Sequence, residues 1–164
     1  MLAHEKHVCD SDRLIDLHRH FGRTCFRALR RLAKFGALKL PEGVVREIKR
    51  GTDKLAKFVK DNERFIAVSV MHDARIRDEV AILERRYGET IIYGNQKYAG
   101  FWKSSAGRKA ADAQVVAVAK ALGGTAVSDD RAVQLACSLE GVTCIGWAEF
   151  ARRLNMAKQL ELGI

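Results

Sequence analysis

No two of the four cysteines, Cys9, Cys25, Cys137 and Cys144, form a C-x-x-C pair, and no Cys/His spacing matches a zinc site. Three of them lie in apolar stretches, which reads as buried reduced thiols and a reducing compartment. Met1 to Lys6 is short and mixed in charge and lacks the apolar run of a signal peptide. No stretch approaches the roughly 18 apolar residues that a membrane span needs. These absences predict a cytoplasmic protein with no membrane partner. The chain also lacks a G-x-G-x-x-G and a P-loop, which disfavours the nucleotide-cofactor classes and with them a doubly wound small-molecule enzyme. There is no internal repeat and no low-complexity segment. A single domain over residues 1–164 is expected, with a core from about 7 to 150 and a tail at 155–164.

What the chain has is a core and a charge. Hydrophobic residues make up 48% of its 164 positions. Lys and Arg number 29 against 20 Asp and Glu, a formal net charge of +9. That balance favours a polyanionic partner, and nucleic acid is the commonest.

Strand and helix signals alternate. Short strands are expected at His7–Cys9, Ala37–Leu40, Phe65–Val70, Thr125–Ser128 and Val142–Ile145. Helices are expected from about Arg13 with a break near Gly22, over Thr24–Phe35, from Pro41 to about Arg50, and over Asp53–Lys60. Further helices are expected over Ala74–Tyr87, Asp112–Leu122, Arg131–Leu139 and Trp147–Leu154. Strands separated by helices imply βαβ units and a mostly parallel sheet. Open parallel sheets bind ligands beyond the carboxyl ends of their strands, where Asp10 and the pair Asp129-Asp130 fall.

Four acidic positions stand in distinctive settings. Asp112 is followed at helical spacing by Val115, Val116 and Ala119, so its carboxylate is aligned with an apolar stripe. An ionised acid there is costly unless paired or metal-bound; the alternative is a first-turn or capping Asp favoured by the helix dipole. Glu47 has a plain alternative in a surface ion pair with Arg50 or Lys54. Asp10 reads equally as a turn residue after a strand, and Asp129 and Asp130 as caps of the helix near Arg131. Gathered in one place, such acids would not stay ionised unaided. Two unit charges 4 Å apart repel by about 4 kcal/mol at an effective dielectric of 20. Mg²⁺ or Mn²⁺ takes oxygen ligands and supplies the compensating charge. Ser128 offers a hydroxyl to hold a carboxylate in place.

The segment Val8-Cys9-Asp10-Ser11-Asp12-Arg13-Leu14-Ile15 resembles the D-[ST]-[NSD]-x-L-I opening of PIN-domain nucleases. Val44-Val45-Arg46-Glu47-Ile48 resembles their second motif. Ala111-Asp112-Ala113-Gln114-Val115-Val116-Ala117-Val118-Ala119 is similar to their A-D-A-x-[IV]-[IVL]-A-x-A helix, and Val127-Ser128-Asp129-Asp130-Arg131 resembles their [VL]-[TS]-x-D. The resemblance spans residues 7 to about 150. It implies a PIN-like three-layer α/β/α sandwich around a mostly parallel sheet. It also implies an Mg²⁺- or Mn²⁺-dependent endoribonuclease of the VapC toxin type. Asp10, Glu47, Asp112 and Asp130 would then be catalytic and hold the metal, with Asp129 the fallback for the fourth acid and Ser11 and Ser128 in support. A small antitoxin and a homodimer are further implied partners. The stretch from Asp61 to Ser105 is longer than in the smallest such toxins, the fourth motif has Ser where Thr is frequent, and Asp12 stands where Asn or Ser is usual.

RNA has two candidate surfaces. Arg23, Arg27, Arg30, Arg31 and Lys34 share a helix face, which would give salt-sensitive phosphate contacts or be a solvated or antitoxin-contacting face. The segment Gly94–Arg108, expected to be a loop, mixes Lys97, Lys103 and Arg108 with Tyr98, Phe101 and Trp102. There, aromatics could stack on unpaired bases while cations hold the backbone, or the rings could serve ordinary packing. His18, His20 and His72 show no metal-like partnership. The other reading kept open is a PIN-like RNA-processing or RNA-binding protein that grips RNA without cutting it and is not a toxin.

Overall fold

The structure, a computed structural model, describes residues 5–103 and 111–156. Along the chain run β1 (His7–Cys9), α1 (Ser11–Phe21), α2 (Thr24–Lys34), β2 (Leu38–Pro41), α3 (Glu42–Lys49), α4 (Lys54–Ile66) and β3 (Ala67–Val68). Then come α5 (Ala74–Tyr87), β4 (Thr90–Tyr93), β5 (Gln96–Ala99) and a 3-10 turn (Phe101–Lys103). After them follow α6 (Asp112–Leu122), β6 (Thr125–Val127), α7 (Arg131–Glu140), β7 (Cys144–Ile145) and α8 (Trp147–Arg153).

Five strands form one sheet in the order β3-β2-β1-β6-β7, every neighbouring pair parallel. The chain steps outward from β1 to β3, then returns to the other side of β1 as β6. The reversal leaves a crevice between the carboxyl ends of β1 and β6, the place where open parallel sheets bind ligands. Val8, Cys9, Leu38, Leu40, Ala126 and Val127 are fully buried along the central strands. Helices cover both faces of the sheet, as short apolar strands of this kind require. α1 packs on α2, α3, α4 and α8, while α6 packs on α5 and α7. Burying each large aliphatic side chain contributes roughly 1.5–3 kcal/mol.

α6 is buried on almost every side: Ala113, Val115, Val116, Ala117, Val118 and Ala119 are all inside. Gly123 ends it at φ +62°, and a Cβ on Gly124 would stand 2.7 Å from the Lys6 carbonyl oxygen. The glycine pair thus stops the helix and lets the chain turn tightly into β6.

Three local expectations need correction. The helix expected to end near Lys60 continues to Ile66, because Phe58, Val59 and Ile66 keep burying one face. Its extension takes Phe65 and Ile66 out of the strand expected at 65–70, leaving β3 two residues long. The segment expected to be a loop from Gly94 instead contains β5, paired antiparallel with β4. Tyr93 pairs with Gln96, so Gly94 and Asn95 form a two-residue turn, with Gly94 at φ +62°. Gly-Asn between two runs rich in Thr, Ile and Tyr is the local hairpin signal behind this turn.

Met156 is buried, and its amide donates to the Ala151 carbonyl, so the first residues of the expected 155–164 tail pack with the body. Residues 157–164 lie outside the described residues. Cys9, Cys25 and Cys137 are buried free thiols, and Cys144 is partly buried. No helix among the described residues is long and apolar enough to cross a membrane.

Candidate active site

Asp10 is the residue after β1 and the N-cap of α1, where its Oδ1 accepts from the Arg13 amide at 2.9 Å. Ser11 follows, and its hydroxyl donates to Glu47 Oε2 at 2.6 Å. That bond ties the start of α1 to α3. On the other side of the crevice, the Asp130 amide donates to Ser128 Oγ at 3.1 Å. Asp130 Oδ1 caps α7 by accepting from the Val133 amide at 3.1 Å. The capping alternative is therefore realised for Asp130, while Asp10, expected as a turn residue, proves to be a cap as well; capping and site membership are compatible. One carboxylate oxygen serves the helix end.

Asp112 is not a cap, but it does stand in the first turn: it is the first residue of α6, after Ala111, and is mostly buried. Its carboxyl is pushed up to about 7, first by burial, then by the charges of Asp130, Asp10, Glu47 and Asp12. Like charges shift a pKa this way only at close range, so the four acids in question share one electrostatic pocket. Asp10 is raised to about 6 by burial, against the opposing pull of the Ser128 hydroxyl, the Arg13 amide and the Arg13 charge. Glu47, with an ion-pair alternative at the surface, turns to Ser11 instead.

Asp129 and Asp130 point to different tasks. Asp129 Oδ2 accepts from the Arg13 guanidinium and, at 3.0 Å, from the Trp147 amide at the start of α8. Gly146 permits this approach, since a Cβ there would meet Asp129 Oδ1 at 2.2 Å. Asp130 is the member of the pair whose charge acts on Asp112.

Two residues of the pocket carried no sequence assignment. Arg13 is the cation among the acids. Its Nε stands 3.6 Å from Asp10 Oδ1, and its Nη2 is 3.0 Å from Asp16 Oδ2. Burial opposes its charge, but the bond to Asp129 and the charges of Asp10, Asp129 and Asp16 outweigh that and raise its pKa. Its position x in the first motif carries no signal of this role. Gln114 is the second: its Oε1 accepts from the Gly43 amide at 2.9 Å, locking the first turn of α3 against α6. A Cβ at Gly43 would meet that oxygen at 2.7 Å and Ala111 Cβ at 3.0 Å. Glu47 sits one turn further along α3.

The RNA-facing candidates separate. Arg23 and Arg27 line a groove of about 680 Å³ between α2 and α4, floored by the stacked rings of Phe26 and Phe58. None of the four acids lines it. Lys97, Tyr98 and Lys103 line another groove of about 450 Å³ that Asp130 also borders. Trp102 is partly buried, packed on the core and over Gly88. Arg108 lies outside the described residues.

As the side chains stand, no group of three or more His, Cys, Asp or Glu among the described residues is placed to hold a metal ion. The caps and hydroxyls hold the acids in one pocket but not in a ligand cage.

The parallel sheet, the two helical layers and the acid-lined crevice at β1 and β6 define a PIN-like α/β/α fold. A solved structure of VapBC2 from Rickettsia felis, bound to a DNA fragment from their promoter, contains a chain with this fold. It superposes with a TM-score of 0.51 over 86% of this chain and 98% of that one, at 12% sequence identity. The chain belongs to the family described as a domain of unknown function, DUF4411, whose model matches residues 7–157. No curated protein matches the sequence.

Proposed function

We propose that this protein is a divalent-metal-dependent endoribonuclease of the PIN type and the toxin of a toxin–antitoxin pair. The observation that carries the reading is Asp112: a mostly buried carboxyl pushed up to about 7 by burial and by Asp130, Asp10, Glu47 and Asp12. A pocket that concentrates negative charge against its own stability is best explained by a cation it is built to receive.

The donor set fits Mg²⁺ or Mn²⁺, being made of carboxylate oxygens with hydroxyls beside them. Asp10, Glu47, Asp112 and Asp130 would hold the ion. Asp129, committed to Arg13 and Trp147, is the weaker fourth ligand. When bound, such an ion neutralises charge on the phosphate and lowers the pKa of water. The protein's own groups do the rest. Ser11 orients Glu47, and Ser128 and the Arg13 amide orient Asp10. A carboxylate of the set takes the proton of the attacking water as its oxygen bonds to phosphorus. The bond from phosphorus to the leaving ribose oxygen then breaks, and that oxygen takes up a proton from solvent water.

The net charge of +9 supports an RNA substrate. The fold shared with a VapBC2 chain supports an antitoxin partner, and the family resemblance supports a homodimer. That the acids among the described residues form no ready ligand cage favours a second reading, an RNA-binding protein that does not cut. Purified protein incubated with single-stranded and structured RNA separates the two. Cleavage with Mg²⁺ or Mn²⁺, abolished by chelator and by Asp112→Asn, supports the nuclease. RNA binding with no cleavage under any metal supports the other. Growth arrest on expression, absent in Asp10→Ala, tests the toxin role.

A further inference from the structure

We propose that the β4–β5 hairpin, set against the start of α7, forms the track that feeds a single-stranded polynucleotide to the acid pocket. This rests on the reading of that pocket as the cleavage site. The hairpin is held in place from three sides. Ile91 is buried beneath it, Tyr93 Oη lies 3.2 Å from Ser138 Oγ on α7, and Gly100 is bonded through its amide to the Glu89 carbonyl. A Cβ at Gly100 would stand 2.1 Å from the Tyr87 carbonyl oxygen, so the hairpin leaves α5 along a path with no slack.

Between hairpin and helix runs the groove of about 450 Å³ lined by Lys97, Tyr98, Lys103, Asp130 and Arg131. Its volume lies in the range of about 300–1,000 Å³ usual for ligand sites. Three cations against one acid suit a phosphodiester backbone. Lys97 and Lys103 are exposed and enter no ion pair among the described residues. The Arg131 guanidinium lies 5.7 Å over the Tyr98 ring. Rings and guanidinium planes are the surfaces on which unpaired bases stack, and paired bases cannot reach them. Among the described residues, the acid that lines the groove is Asp130, whose charge acts on Asp112 more than that of any other acid. A strand lying in the groove therefore ends at the carboxylates. The larger groove at Arg23 and Arg27 has cations but no acid of the pocket on its walls.

The test measures binding of a labelled single-stranded oligonucleotide to the full chain by fluorescence anisotropy, with chelator present so that nothing is cut. RNA and DNA of one sequence and an RNA duplex are compared. Lys97→Ala/Lys103→Ala should weaken single-strand binding about tenfold. It should also flatten the plot of log affinity against log salt by about 1.4, at roughly 0.7 per lost phosphate contact. Both lysines are exposed, and an unchanged circular dichroism spectrum and melt show that the variant folds. Loss for RNA and DNA alike supports a track read through backbone and bases; loss for RNA alone supports one that also reads the sugar. Wild-type affinity in the double variant overturns the proposal, as does duplex binding equal to single-strand binding. A loss confined to Arg23→Ala/Arg27→Ala overturns it too. Groove-dependent binding without metal-dependent cleavage would keep the track and refute the nuclease. Cleavage indifferent to Lys97 and Lys103 would do the reverse.

Discussion

Asp112 is where burial and like charge meet, and its titration has a readable consequence. In the folded protein it keeps its proton up to about pH 7, whereas its ordinary value is 3.8. Between those values the folded state binds more protons than the unfolded one, so stability falls as pH rises through that window. Asp10, raised to about 6, acts in the same direction over the lower part of it. With chelator present, the urea midpoint should therefore be lower at pH 8 than at pH 5, and Asp112→Asn should reduce the difference. An unchanged slope in the variant would locate the effect elsewhere. The neighbouring aspartates give a contrast. Asp130→Asn should cut metal-dependent cleavage steeply, on the order of 10²-fold or more if it serves as catalytic group. Asp129→Asn should instead cost about 1 kcal/mol of stability through its bonds to Arg13 and the Trp147 amide, with a smaller effect on cleavage. Thermal melts and initial rates on both variants decide between them. The motif resemblance ranks Asp130 ahead of Asp129 but gives no physical ground for it, because the difference lies in which partner each one faces.

The elements are positioned by a few cross-links, and these are where substitutions should be felt. Gln114 is the acceptor that docks α3 on α6. Gln114→Leu keeps much of the volume but leaves the Gly43 amide without that acceptor, a loss of about 1 kcal/mol. Because Glu47 rides on α3 and Asp112 on α6, cleavage should fall more than stability. Denaturation and kinetics on one preparation would show whether the two losses diverge. Gly100→Ala is a harsher change. Its Cβ would meet backbone oxygens at 2.1 and 2.6 Å, which cannot swing away as a side chain can. A loss of about 1–3 kcal/mol is expected, with faster amide exchange concentrated in residues 90–99. α5 and α6 were legible in the sequence because each has clear ends. Ile76, Val80 and Leu83 mark the buried face of one, and Gly123-Gly124 stops the other. The end of α4 and the hairpin were not legible. Phe65 and Ile66 alternate as well in a strand as they pack in a helix, and the Gly-Asn turn stands in a segment rich in aromatic and basic residues.

For the molecule as a whole, an ion that binds only the folded pocket must stabilise it. At one hundred times its dissociation constant, Mn²⁺ or Mg²⁺ should add about 2.7 kcal/mol and raise the melting temperature by about 5–10 °C. Asp112→Asn should lose that shift, and calorimetric titration of the metal-free protein with either ion should show the same loss of binding. No shift with either ion would remove the metal from the proposal and leave the RNA-binding reading. Much was determined by the sequence alone: alternating strand and helix signals set a parallel α/β fold, and the strand-end positions of Asp10 and Asp130 put both at the carboxyl ends of its strands. Local pattern suffices there, because hydrophobic period and end signals act within a few residues. Only the tertiary structure decided that Glu47 turns to Ser11, 36 positions away, that Asp129 belongs to Arg13 and α8, and that a hairpin stands beside Asp130. Those choices depend on distances between segments remote in the chain. They are set by how the layers pack, which no stretch of sequence carries by itself.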